Sequence, residues 1–224
     1  MIPLRDINPT RRFPLMTVLL IAANVLVFIY ELILPSEEAL RGFLYTMGAI
    51  PYEVLHNFGL RAIVTLLTSI FLHGGFVHII GNMLFLWIFG NNVEDDMGRL
   101  RFAAFYLLCG FGASAAQIAV APSSRVPIIG ASGAIAGVLG AYLLLFPHAQ
   151  IDTLLILGYF IRLVRLPAIL VISLWVMLQF FSGLASLGVV QLGGVAWFAH
   201  IGGFIAGLLL VNIFRRRRRG YYFK

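Results

Sequence analysis

The chain has 224 residues, 61% of them hydrophobic and only 11% charged, with a net charge of +7 at pH 7 and a mean hydropathy of +0.97. A soluble domain carries roughly 25% charged residues, so the composition excludes one and points to an integral membrane protein. At about 20 apolar residues per spanning helix, the length accommodates six or seven crossings and leaves no room for a separate soluble enzyme, receptor or ATPase domain.

Taken in chain order, residues 1–13 are basic, lack a small-residue cleavage site and read as a cytoplasmic segment ahead of an uncleaved anchor. Apolar runs then predict helices over 14–34, 77–90, 101–121, 132–146, 168–182 and 195–214. They are separated by a long segment (35–76), an acidic turn (91–100) carrying Glu94, Asp95 and Asp96, and the connections 122–131, 147–167 and 183–194. The expected architecture is all-α: a six-helix polytopic membrane domain over 14–214, followed by a basic cytoplasmic tail over 215–224. The stretch 151–161 is apolar, but Asp152 and Arg162 bound only nine uncharged residues. That is too short to span, and the stretch is expected to lie at the inner interface.

Charge sets the orientation. With the amino terminus inside, Arg5, Arg11, Arg12, Arg99, Arg101, Arg162, Arg165, Arg215 to Arg219 and Lys224 fall on the inner side, and only Arg41, Arg61 and Arg125 on the outer. This asymmetry follows the positive-inside rule and accounts for the basic charge, with anionic lipid binding a minor addition. The basic residues flank apolar runs and form no aromatic-interleaved patch, so nucleic acid is not expected as a partner. The one cysteine, Cys109, permits no intrachain disulfide.

Polar groups inside hydrocarbon are costly and therefore informative. His78 and Asn82 lie on the second expected helix, Ser132 at the start of the fourth and His200 on the sixth. Measured from the expected inner helix ends near 91, 146 and 214, His78, Ser132 and His200 all lie roughly 20 Å above the inner boundary at ~1.5 Å per residue, with Asn82 one turn deeper than His78 on the same face. Gly133, Gly137 and Gly140 on the fourth helix, with Gly203 and Gly207 on the sixth, allow close helix approach. Such an approach would bring Ser132 and His200 together; ordinary packing is the other use of these glycines. Gly130-Ala131-Ser132-Gly133 reads as a nucleophile turn whose helix N–H groups could stabilise an oxyanion, or as Ser132 capping its helix. His200 could equally be a buried histidine satisfied by a carbonyl, and His78 and Asn82 interhelical hydrogen-bond partners. His73 belongs in the turn before the second helix with Gly74 and Gly75. No H-E-x-x-H occurs and no acidic residue accompanies the histidines, so no metal is expected. No carboxylate is expected at that depth, which leaves a serine-histidine dyad.

At these residues the sequence resembles the rhomboid intramembrane serine proteases of bacterial or archaeal type. The resemblance rests on the segment from His73 through His78 to Asn82, on Gly130-Ala-Ser132-Gly133, on Ala199-His200-Ile-Gly-Gly203-x-x-x-Gly207, and on Gly90-x-x-x-Glu94-x-x-x-Gly98. It covers about residues 64–214. It implies a six-helix rhomboid-like bundle with Ser132 as nucleophile, His200 as base and then acid, and oxyanion donors from the Ser132 N–H, His78 and Asn82. It further implies transmembrane proteins as substrates, cut near their outer ends with water and no cofactor. The active site is expected to open to the outer side of a cell membrane, with Phe180 and Phe181 on the fifth helix as a possible gate. A catalytically silent relative that binds transmembrane segments is the alternative. Two departures stand out: Val64-Thr65 where many members carry Trp-Arg, with Arg61 as a possible substitute, and Ala136 where some members place an aromatic residue against the catalytic histidine.

Overall fold

A computed structural model describes residues 1–187 and 195–216, with the backbone alone at Leu157 and Phe160. The expected loop 183–194 and the tail 215–224 therefore lie partly outside the described residues. The chain runs β1 (Ile2–Asp6), α1 (Leu15–Leu32), the short helices α2 (Glu37–Met47), α3 (Pro51–His56) and α4 (Leu60–Thr68), and a 3-10 turn over Ser69–Phe71. It continues through α5 (Phe76–Met97), α6 (Arg99–Val120), α7 (Ser132–Leu145), β2 (Gln150–Leu157), β3 (Phe160–Pro167), α8 (Ala168–Ser186) and α9 (Trp197–Phe214). Among the described residues, α1, α5, α6, α8 and α9 are long and apolar enough to cross a membrane. Of the two shorter apolar helical stretches, 60–71 and α7, α7 has 14 residues, about 21 Å at ~1.5 Å each against ~30 Å of hydrocarbon.

The centre of the bundle is built from missing side chains. α9 packs against both α6 and α7, which also meet each other. A Cβ at Gly203 would overlap the carbonyl oxygen of Gly133, and one at Gly207 that of Gly137. One at Gly140 would lie 2.5 Å from the Phe204 carbonyl, and one at Gly202 would strike Ala116 of α6. Lipid tails are as apolar as leucine, so helices in a bilayer gain by close van der Waals contact, and these glycines permit it. Nearer the other end of α7, Phe89 of α5 meets Tyr142 edge-on at 5.0 Å within a core that includes Phe102, Phe105 and Leu139.

The end of the bundle away from Ser132 departs from the expected layout in two places. First, 147–167 holds an antiparallel hairpin, and β1 pairs with it to make a three-stranded sheet in the order β1-β2-β3. The β-branched Ile151, Thr153 and Ile156 of β2, a left-handed Gly158 at the turn (φ 58°) and the cross-strand Asp152–Arg165 pair at 3.1 Å favour strands here. The basic amino-terminal segment is thus partly a strand, and Asp6 at its end accepts a hydrogen bond from Tyr142 at 3.1 Å. Burial raises the Asp6 carboxyl to about 6, with the Tyr142 hydroxyl opposing that rise.

Second, α5 runs to Met97, through the acidic residues that had read as a turn. The reason is Glu94. Its carboxylate accepts from the N–H groups of Met16 and Thr17 at 2.9 and 2.7 Å and from the Thr17 hydroxyl at 2.8 Å. α1 begins at Leu15 after Pro14, which provides no side-chain cap, so Glu94 supplies the acceptor for its free N–H groups. Gly90, one turn earlier, lets Thr17 approach, and Gly98 (φ 84°) turns the chain into α6 under the Arg216 guanidinium, which donates from Nε to the Met97 carbonyl at 3.2 Å. The longer α5 also corrects the depth comparison: His78 lies further from its helix end than Ser132 and His200 do from theirs.

Candidate active site

Ser132 is the first residue of α7, with Ala131 at the N-cap, so its hydroxyl does not cap the helix. Instead Ser132 Oγ lies 2.7 Å from His200 Nε2. His200 is buried on the first turn of α9, and its Nδ1 lies 2.7 Å from Oε1 of the buried Gln179 of α8. A carbonyl oxygen only accepts, so Nδ1 carries the proton and bare Nε2 accepts from the serine hydroxyl. Two indoles flank the imidazole: Trp175 of α8 at 5.8 Å and Trp197 of α9 at 6.1 Å, the latter perpendicular. Ala136 itself, buried in α7, offers no ring.

A second histidine cluster closes the other side. His78 packs against Gly130: a Cβ there would lie 2.7 Å from the His78 ring and 3.6 Å from Ser132 Oγ. Gly130 also has a φ of 117°, so two independent requirements call for glycine at that position. Its N–H donates to the Ser69 carbonyl at 2.8 Å, and the loop behind it is tied to the 35–76 segment by the Ala49–Ile128 bridge. His73 stacks edgewise on His78 at 5.0 Å. Its Nδ1 donates to the Phe71 carbonyl at 3.2 Å and its Nε2 accepts from Asn82 Nδ2 at 3.0 Å, so both ring nitrogens are engaged. The backbone N–H of His73 donates in turn to the buried Glu31 carboxylate at 3.1 Å.

The structure therefore gathers Ser132, His200, His78 and Asn82 at one end of α5, α7 and α9. Phe180 and Phe181 are exposed on α8, immediately after Gln179, and their rings are 5.8 Å apart. Arg61 is exposed on α4, and Thr65 is buried, donating to the Ala62 carbonyl at 3.1 Å. Three neighbours escaped the sequence reading: Gln179, Glu31 and the packing role of His73. The signal existed for the first two, since an amide or carboxylate within an apolar helix needs a partner.

The arrangement sets a serine hydroxyl against a buried histidine among apolar helices. The sequence matches the Rhomboid domain family over residues 61–217. RHOMBOID-like protein 4 of Arabidopsis thaliana is 37% identical over 145 residues, 65% of this chain and 32% of its own length. RHOMBOID-like protein 1 of the same plant is 33% identical over 179 residues, 79% of this chain and 40% of its own. Rhomboid protease GluP of Bacillus subtilis is 46% identical over 78 residues, 35% of this chain and 15% of its own. The chain belongs to the rhomboid family and is a multi-pass membrane protein, an intramembrane protease or a related member of that family. It spans between about a third and two fifths of the length of these plant relatives.

Proposed function

We propose that this chain is an intramembrane serine endopeptidase that hydrolyses peptide bonds in or near the transmembrane segments of other membrane proteins. The observation that carries the reading is the 2.7 Å contact between Ser132 Oγ and His200 Nε2, at hydrogen-bonding distance for a nucleophile and its base. As Oγ attacks the scissile carbonyl, Nε2 takes its proton. The imidazolium then returns that proton to the leaving amine, and an acyl-enzyme remains on Ser132. A water, deprotonated by the same nitrogen, releases the acid.

The tetrahedral oxyanion finds donors in the Ser132 N–H at the start of α7, in His78, and in Asn82. Asn82 uses one amide hydrogen on His73 and has a second available. No cofactor enters these steps. α7 is shorter than the hydrocarbon is thick, so Ser132 would sit below the membrane surface in a cavity open to water. The arginine asymmetry supports an opening on the outer side, with both ends of the chain cytoplasmic. A substrate helix must unwind to present a carbonyl, and α8, with Phe180 and Phe181, is the side from which it enters.

The test is cleavage of a transmembrane substrate in proteoliposomes. Ser132→Ala and His200→Ala each lower the rate by about 10⁴-fold or more; cleavage by Ser132→Ala at the wild-type rate would sink the mechanism. A folded wild type that binds transmembrane segments without cutting them would establish the silent alternative.

A further inference from the structure

Building on the hydrolytic reading, we propose that Gln179 is the positioning residue of His200: its side-chain carbonyl holds the base in the tautomer and orientation that leave Nε2 facing Ser132. A neutral imidazole has two tautomers, and only the one protonated on Nδ1 can accept the serine proton through Nε2. Soluble serine hydrolases fix that choice with a carboxylate. No carboxylate among the described residues hydrogen-bonds to His200. Glu31, the buried carboxylate at this end, is turned to the His73 backbone instead.

The 2.7 Å bond from Nδ1 to Gln179 Oε1 supplies the same directional acceptor without a charge. That is the better choice in hydrocarbon, where an unneutralised carboxylate is far more costly to bury than an amide. Trp175 stands one turn before Gln179 on α8 and lies against the same imidazole, so one face of α8 restrains the ring in both position and rotation. The nucleophile, the base and the group that orients the base thus come from three different helices: α7, α9 and α8.

Gln179→Leu removes the acceptor while retaining an apolar side chain of similar bulk, and Gln179→Glu restores an acceptor. In proteoliposomes, Gln179→Leu is expected to lower kcat by about 10- to 100-fold with KM within about twofold, less than the loss in a triad whose carboxylate is replaced. Labelling of Ser132 by a fluorophosphonate slows in parallel, and Gln179→Glu recovers most of both rates. Nitrogen-15 NMR of the His200 ring should report a single Nδ1–H tautomer in the wild type and a mixture in Gln179→Leu.

Wild-type labelling in Gln179→Leu overturns the assignment, as does an equal deficit in Gln179→Glu, which would make the role one of packing. An unchanged tautomer in Gln179→Leu overturns it as well, and that readout needs no substrate. Cleavage that survives Ser132→Ala defeats the hydrolytic reading itself, separately from any result at Gln179.

Discussion

Both buried histidines that accept a hydrogen bond in this site have their proton placed by a carbonyl oxygen: His200 by Gln179 and His73 by Phe71. The consequence for His73 is that its bare nitrogen takes one amide hydrogen of Asn82 and fixes the direction of the other. Asn82→Ala is therefore expected to slow cleavage by about 10- to 100-fold, well short of the loss in Ser132→Ala, because the Ser132 N–H and His78 remain as donors. Single-turnover rates on one substrate compare the two variants, and an equal loss would assign Asn82 more than oxyanion binding. At this scale the sequence was most readable where chemistry is strongest. Ser132 and His200 stand out as a hydroxyl and an imidazole in apolar runs, and the structure brings them to 2.7 Å. Gln179 stands in an equally apolar run, but an amide carries no reaction of its own, and only the bond to His200 reveals what it does. Glu31 stands near the outer end of the run 14–34, and its partner, the backbone of residue 73, is 42 residues away.

Helix ends proved harder to read than helix centres, and Glu94 explains why. An acid-rich stretch at the end of an apolar run ordinarily marks a turn, yet here α5 passes through it because one carboxylate is consumed by the uncapped start of α1, a partner 77 residues away. Local sequence holds no trace of such a pairing. The hairpin at 150–167 is apolar enough to resemble a short span, and its strands are held by pairing with each other and with residues 2–6. The capping role makes a quantitative demand. Glu94→Ala leaves buried N–H groups and a hydroxyl without an acceptor and should cost about 2–4 kcal/mol. Glu94→Gln, which keeps one acceptor, should cost less. Thermal unfolding in detergent micelles reads the order, and identical melting of all three proteins would refute the cap.

Across the whole molecule, the distance from Ser132 to His200 depends on how closely α9 lies against α7, and that separation is fixed by backbone atoms in direct contact. Gly207→Ala places a methyl on the Gly137 carbonyl. It is expected to lower the melting temperature and to slow Ser132 labelling at least tenfold, by parting the two helices that carry the dyad. Gly81→Ala on α5, where an added Cβ meets nothing within 4 Å, serves as the control and should melt and label as the wild type does. The glycine pattern in the sequence indicated which helices meet. It did not indicate that α6 also closes on α9 through Gly202 and Ala116.

That contact has a genetic corollary. A glycine codon altered at one base either stays glycine, becomes a stop, or encodes a residue with a Cβ, so every missense change at Gly203 or Gly207 inserts at least one carbon where a neighbouring carbonyl already stands. In a soluble core the damaging substitutions are mostly truncations, which leave holes that the surroundings partly fill. Here the damaging direction is addition, and the smallest addition available is already too large. A map of tolerated variants should show its deepest gaps at α7 and α9 positions that have no side chain, alongside Ser132 and His200, while the bulky lipid-facing residues of α8 and α1 exchange freely with one another.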